Sequence, residues 1–278
     1  MEQTHSTAEK LAHLDDILRS MERVLVAFSG GVDSTFLLAR AKEVLGDQVI
    51  AVTAASETFP TREFNEAIAL AQEMGVKYMK TEVSELANEN FVKNEPDRCF
   101  HCKDGLYQHL NELAQKEGYP FILDGANRDD VGDYRPGMKA ARSQGVRSPL
   151  LEAGLTKQEI RDLSKEMNLR TWNKPSFACL SSRIPYGKRI TQEAIDQLDL
   201  AEDFLLKLGF YQVRVRHHEK LARIEVMPNE LQKVIDYHET IHKRFKEIGF
   251  QYVTLDLQGY RTGSMNEVLA AGSKEQNA

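Results

Sequence analysis

The sequence has no apolar run longer than a strand, far short of the roughly 20 consecutive apolar residues that a membrane-spanning helix needs. It therefore predicts no such helix. Cysteine is scarce as well: the 3 thiols are Cys99, Cys102 and Cys179, too few and odd in number for a disulfide framework. The opening stretch, Met1 to Lys10, is polar and carries acids where a secretory or transit signal would be apolar or Arg-rich. Reduced thiols and a cytoplasmic location are the expectation. There is no basic excess either. With 36 Lys and Arg against 42 Asp and Glu, the net charge is −6, which argues against nucleic acid as the main partner. No internal repeat is present. What remains is an ordinary globular composition, 41% hydrophobic and 28% charged, and 278 residues suffice for one large domain or two modest ones with a buried core.

The most informative stretch is Val24-Leu25-Val26-Ala27-Phe28-Ser29-Gly30-Gly31-Val32-Asp33-Ser34-Thr35. An apolar strand pattern stops at Ser29, two glycines follow, and a helical pattern opens after Ser34. A strand, a tight Gly turn and a helix N-terminus together form an anion site, because the first N–H groups of a helix have no intrahelical partner. Gly30 and Gly31 let backbone approach a ligand that a Cβ would hold off. Ser29 and Ser34 add hydroxyls, and Asp33 can hold a divalent cation or cap the helix. The lysine of the GxxxxGK[ST] nucleotide loop is missing, which argues against that loop.

Further along, helical spacing covers 7–22, 61–74, about 103–117, 156–168, Thr191–Leu208 and about 228–248. Strand patterns fall at Val49–Thr53, Tyr78–Val83, Phe121–Leu123, Tyr211–His217, Leu221–Val226 and Tyr252–Leu257, and 132–149 reads as a long loop rich in Gly, Arg and Pro. Alternating strands and helices predict an α/β fold with a doubly wound parallel sheet, ligands lying at the carboxyl ends of the strands. After about residue 185 the pattern changes to helix, hairpin, helix, strand, a smaller C-terminal α+β domain. The expected division is 1–184, 185–270 and a disordered tail at 271–278.

Cys99-Phe100-His101-Cys102 is a C-x-x-C motif placed after Pro96-Asp97, and Cys179 follows Pro175, so the thiols are expected in loops. A redox dithiol lacks the usual Trp-Cys-Gly-Pro-like start, and a structural zinc lacks a fourth ligand. Three thiolates without a fourth suit a [4Fe–4S] cluster with one open iron. Three unrelated small buried residues are the plain alternative. Arg214 and Arg216, two apart in a strand, face one side and suit a phosphate gripped bidentately, or else a salt-bridged sheet face with Glu202 or Glu225.

Ser29-Gly-Gly-x-Asp-Ser34 after a strand resembles the pyrophosphate loop of the PP-loop ATPases, the adenine nucleotide alpha hydrolase-like enzymes that cut ATP between its α and β phosphates. That resemblance implies ATP and Mg2+ at Ser29, Gly30, Gly31, Asp33 and Ser34. It implies adenosine contacts at Ala54 and Ser56 beyond the second strand, and nucleotide contacts at Gly125 and Asn127 in Asp124-Gly-Ala-Asn-Arg-Asp-Asp130. With Asp133-Tyr-Arg-Pro-Gly137, Cys179-Leu-Ser-Ser-Arg183, Val213-Arg-Val-Arg216, Ala222-Arg-Ile-Glu225, Val253-Thr-Leu-Asp256 and Gly259-Tyr-Arg261, the resemblance narrows. These segments resemble the PP-loop sulfur transferases that build the nickel-pincer nucleotide of lactate racemase.

Membership of that family implies adenylation of a carboxylate of a nicotinate-derived mononucleotide, pyridinium-3,5-biscarboxylic acid mononucleotide, and replacement of AMP by sulfur. Some members sacrifice a cysteine, whereas three-cysteine members use a [4Fe–4S] cluster. Cys99, Cys102 and Cys179 match the second pattern, with a sacrificial Cys179 as the rival. The resemblance further implies an external sulfur donor and a homo-oligomer, with Lys103 placed to neutralise charge and Ser182, Arg183, Arg214 and Arg216 to contact the substrate; the acids Glu202 and Glu225 are, as an alternative to a salt bridge, candidates to bind a metal ion. A PP-loop tRNA thiolase and an amide-forming ligase are the competing readings. The first calls for a basic face, and the second has no use for three loop thiols.

Overall fold

The structure, a computed structural model, describes residues 6–131, 136–261 and Ser264. Asp133, Tyr134 and Arg135 of the expected Asp-Tyr-Arg-Pro-Gly segment, and the tail at 271–278, lie outside the described residues. In chain order the elements are α1 (Thr7–Met21), β1 (Val24–Ala27), α2 (Val32–Leu45), β2 (Val49–Ala55), α3 (Thr61–Glu73), β3 (Lys77–Glu82), α4 (Glu89–Val92), α5 (Arg98–Glu117) and β4 (Phe121–Leu123). There follow α6 (Pro136–Ser143), α7 (Pro149–Glu152), α8 (Lys157–Glu166), α9 (Gln192–Lys207), β5 (Val213–His218), β6 (Leu221–Val226), α10 (Leu231–Asp236), α11 (His238–Ile248) and β7 (Tyr252–Leu255). They divide into two compact units. One holds the residues up to Phe91 with Asp97–Phe177; the other holds Val92–Pro96 with the residues from Ala178 onward. The sequence expectation drew its line at 185, after the Cys179–Arg183 segment.

The first unit is built on a four-stranded parallel sheet in the order β3-β2-β1-β4, with Val24 paired to Val49 on one side and to Phe121 on the other. Its central strand is apolar on both faces: Val24 and Val26 pack with Phe36, Leu37 and Ile160, while Leu25 packs with Val52, Tyr107 and Ile122. A parallel sheet covered on both faces reads as continuous apolar runs, and that is the doubly wound arrangement expected. Because β1 and β2 are neighbours in register, the loop after β1 and the end of β2 open on the same edge.

Two helices begin earlier than their apolar periodicity shows. α2 starts at Val32, with Gly31 extended at the N-cap, so Asp33 and Ser34 form its first turn instead of preceding it. Polar residues carry no periodic signal there, yet an acid in the first turn suits the helix dipole. α5 starts at Arg98, so Cys99 and Cys102 lie on its first turns and not in a loop. The expected loop at 132–149 contains α6, and Arg147 bridges to Leu123 in parallel.

In the second unit the sheet order is β5-β6-β7, an antiparallel hairpin extended by a parallel third strand. Thr191 caps α9 by accepting from Ala194 N at 3.2 Å, as its position before the helical pattern suggests. The single helix expected at 228–248 is broken at Tyr237 into α10 and α11. Asn94, fully buried with φ of 60°, donates its amide to the carbonyls of Ile184, Pro185 and Lys188 at 2.8–3.2 Å, and so ties Val92–Pro96 into this unit.

Candidate active site

The loop between β1 and α2 is drawn tight by its own side chains. Ser29 Oγ lies 3.1 Å from Ser34 Oγ and accepts from Gly31 N at 3.4 Å, and Ser34 Oγ donates to Gly31 O at 3.3 Å. Gly30 has φ of 69°, and a Cβ there would stand 3.1 Å from Ala67 of α3. Both facts require glycine. Gly125, beyond β4, abuts the same turn: its Cβ would come within 3.0 Å of Ser34 N and 3.3 Å of Asp33 Cβ. Gly125→Ala is therefore expected to wedge the loop open. A cost of about 1–3 kcal/mol follows from overpacking, readable as a lowered melting temperature together with a raised KM for ATP.

Asp33 is the centre of the polar contacts. Lys157 Nζ, at the first position of α8, reaches Asp33 Oδ2 at 2.5 Å, and Asn127 Nδ2 reaches Oδ1 at 3.4 Å. On the other side of the loop, Lys174 Nζ donates to Gly30 O at 3.1 Å and lies 2.7 Å from the carboxylates of Glu63 and Glu66. Phe177, whose ring packs 5.6 Å from that of Phe59, stands beside Gly31. Sequence reasoning missed both lysines. Each reaches the loop from more than a hundred residues away, and neither stands in the glycine motif; only the pairing of α8 and the segment after it with α2 reveals them. Ala54 lies at the end of β2 opposite Thr81, and Ser56 O accepts from Phe59 N at 3.1 Å.

The start of α5 carries a second polar cluster in the same unit. Asp124 accepts from Tyr107 OH at 3.1 Å, from Ser148 Oγ at 2.6 Å and from Ala126 N at 3.2 Å. Burial pushes the Tyr107 phenol up to about 12. The charges of Tyr107, then Cys102 and Asp124, hold Lys103 above its ordinary value against the opposing effect of burial. Tyr107 stays protonated at neutral pH, so the lasting negative partner of Lys103 is Asp124. Lys103 is thus a fixed ammonium, suited to balancing charge and not to accepting a proton. Cys102 Sγ donates to Glu85 Oε1 at 2.8 Å, and Glu85 is held in turn by Thr58 Oγ1. A hydrogen-bonded carboxylate beside the thiol was not foreseen.

The second unit gathers Cys179, Ser182, Arg183, Glu202, Arg214, Arg216 and Glu225. Cys179 precedes the short turn Leu180–Arg183, its Sγ 3.0 Å from Ser181 Oγ. Arg183 donates to both carboxylate oxygens of Glu202 at 2.9 Å and also to Ala178 O, Cys179 O and Ser182 Oγ. Arg216 makes the same two-pronged contact with Glu225 at 2.7 and 2.9 Å, and donates to Ser182 O and Ser264 Oγ. Glu202 and Glu225, expected to hold a metal ion, are thus each engaged by an arginine, and the salt-bridged alternative for Arg216 is the one observed. Burial raises the Glu202 carboxyl, but Arg183's charge and hydrogen bonds more than offset that and keep it below the ordinary range. Among the described residues, no three His, Cys, Asp or Glu side chains gather closely enough to hold a metal ion, and no helix is long and apolar enough to cross a membrane.

Comparison with known proteins agrees with this geometry. A family model described as NAD synthase matches residues 11–105, the stretch from α1 to the start of α5. The chain is 42% identical over 262 residues to an uncharacterized protein of Synechocystis sp., covering 94% of this chain and 98% of that one. It is also 42% identical over 263 residues to the pyridinium-3,5-bisthiocarboxylic acid mononucleotide synthase of Lactiplantibacillus plantarum, covering 94% and 95%. A probable tRNA sulfurtransferase of Methanothermobacter thermautotrophicus is 31% identical over 160 residues, 52% of this chain and 40% of that one.

Proposed function

Because the chain belongs to the pyridinium-3,5-bisthiocarboxylic acid mononucleotide synthase family, we propose that it is an ATP-dependent sulfur insertase. It adenylates a carboxylate of pyridinium-3,5-biscarboxylic acid mononucleotide and exchanges AMP for sulfur. The observation that carries the reading is the Ser29–Ser34 loop at the N-terminus of α2, with Asp33 and two lysines converging on it. The tRNA thiolase relative covers half of the chain, and the net charge of −6 does not favour an RNA partner.

A carboxylate is a poor electrophile with a poor leaving group, and adenylation remedies both. The loop N–H groups and the serine hydroxyls receive the pyrophosphate, and Lys174 supports the loop from Gly30 O. Asp33 fits a magnesium ion, being a hard oxygen donor next to the phosphate site; the ion would neutralise phosphate charge there. Lys157, whose Nζ lies on Asp33, would add its positive charge beside the same phosphates. Lys103 balances the charge of the nucleotide or of the acyl group. In the second unit Arg214, with Ser182, binds the substrate's phosphate or carboxylate, while Arg183, held by Glu202, fixes the Cys179 turn.

Sulfur comes from the cysteine set. Cys102, in the first unit, donates to Glu85, and Cys179, in the second, lies against Ser181, so each of these thiols has an oxygen partner where a [4Fe–4S] cluster would take a bare thiolate. In the direct route Cys179 Sγ, deprotonated, attacks the acyl carbon and AMP leaves with the bonding pair. Removal of the Cys179 Cα proton then breaks Cβ–S, giving the thiocarboxylate and dehydroalanine. The test is iron, sulfide and intact-mass analysis of protein isolated without oxygen, before and after one turnover. The direct route predicts an iron-free protein that loses the mass of one hydrogen sulfide from the Cys179 peptide. Bound iron and sulfide with an unchanged polypeptide mass would replace it by a cluster on Cys99, Cys102 and Cys179, and an external sulfur donor would then reload it.

A further inference from the structure

The peptide between Gly30 and Gly31 has no Cβ on either side to resist a flip, so its orientation depends on what holds it. Its N–H, on Gly31, donates to Ser29 Oγ at 3.4 Å, and that hydroxyl lies beside Ser34 Oγ. Its carbonyl, on Gly30, accepts from Lys174 Nζ at 3.1 Å. The carbonyl and N–H of one trans peptide point in opposite directions. A grip on the oxygen therefore keeps the N–H on the side of the two serines.

Lys174 is built to be that grip and not a phosphate ligand. An ammonium has three N–H donors, and three oxygens surround this one: Gly30 O, Glu66 Oε2 at 2.7 Å and Glu63 Oε2 at 2.7 Å. The two carboxylates also balance its charge. Lys174 itself lies in a stretch with no helix or strand, so its aim depends on what fixes the backbone there. The fixing comes from α8. Arg161 Nη1 donates to Trp172 O at 2.7 Å and Nη2 to Lys174 O at 3.0 Å, so one planar guanidinium spans the carbonyls on either side of Asn173. Four residues earlier on α8, Lys157 reaches Asp33; four residues later, Lys165 Nζ stands 4.9 Å from the centre of the Trp172 ring. Residues four apart share a helix face, so one stripe of α8 serves both Asp33 and the segment that carries Lys174.

Resting on the reading of the Ser29–Ser34 loop as the pyrophosphate site, we propose that Arg161 is a positioning residue for ATP: by clamping the backbone at 172–174 it keeps Lys174 on the Gly30 carbonyl and the Gly31 N–H turned into the loop. It acts through Lys174 and not on the nucleotide.

The test is a double-mutant cycle on the full-length protein, following pyrophosphate release with ATP and then the dicarboxylic mononucleotide varied. Lys174→Met is expected to raise the KM for ATP by about tenfold. It should fold, because Glu63 keeps Arg62 and Glu66 keeps Arg170 as partners; Lys174→Gln, which also lacks the ammonium, provides a second background. Arg161→Ala is expected to raise the KM for ATP by about three- to tenfold, with kcat within about twofold of the parent and the KM for the mononucleotide unchanged. In either Lys174 background, Arg161→Ala should add nothing further, because the clamp then has no ammonium to aim. Additive effects, equal rises in both KM values, or a parent-like KM for ATP in folded Arg161→Ala or Lys174→Met would overturn the inference and leave the loop's role intact. Turnover at the parent rate in Asp33→Ala would instead remove the loop from the reaction, and the inference with it. Melting temperatures of all variants show whether a change in KM belongs to a folded protein.

Discussion

Asp33→Ala is expected to lower ATP-dependent AMP formation by about 10²–10³-fold, the usual cost of losing one charged group that stabilises a polar transition state. The side chain is positioned for this by α2 beginning at Val32, which puts Asp33 in the first turn beside Gly125 and Asn127. Its removal would take away the oxygen donor proposed for magnesium and the anchor of Lys157 together. Asp33→Asn should be nearly as inactive, because the amide keeps the shape and loses the charge. Stability should change little in either variant, since Asp33 is partly exposed and its pair with Lys157 lies at the rim of the loop. The measurement is the rate of pyrophosphate release with and without the dicarboxylic substrate, beside a melting curve. A variant that folds and still turns over at the parent rate would remove the loop from the chemistry.

Glu202→Ala carries the largest expected cost in stability. Arg183 is 1% exposed and Glu202 3%, so truncating the acid strands a buried guanidinium. Breaking such a pair from one side costs about 3–5 kcal/mol. The loss is compounded because Glu202 Oε1 also accepts from Val215 N at 2.9 Å, tying α9 to β5. Arg183 in turn holds the carbonyls of Ala178 and Cys179, so the same change should loosen the Cys179 segment. Glu202→Gln, which keeps an acceptor, is expected to lose markedly less. Denaturant midpoints at constant slope are the readout. The pair has an acid limit as well. Because the folded carboxyl titrates below its unfolded value, its contribution is present above the unfolded pKa and disappears as pH falls through the folded one.

The loop and the sheet were legible because they are local. A strand of Val and Leu, two glycines and a helix are specified by consecutive residues, and the parallel order follows from crossover geometry. Family membership was legible in the same way, from segments such as Ser29–Ser34 and Gly259–Arg261. Helix starts were not, since Val32-Asp33-Ser34 and Arg98–Cys102 contribute polar first turns that no apolar period marks. Nor were partners legible that arrive from elsewhere in the chain. Lys157 on Asp33, Lys174 on Gly30 and Glu85 on Cys102 are products of packing. The two glutamates read as metal ligands illustrate a further limit: a sequence shows a carboxylate, whereas only three dimensions show that Arg183 or Arg216 already occupies it.

Carboxylate activation at the glycine loop is most directly tested by the fate of the oxygen that sulfur replaces. The substrate is prepared with a heavy oxygen isotope in its carboxylates and turned over with unlabelled ATP. Attack of the carboxylate on the α phosphorus predicts one heavy oxygen in AMP for each thiocarboxylate formed, with unlabelled pyrophosphate. Heavy oxygen in inorganic phosphate with ADP as the other product, or AMP without label, would contradict the account.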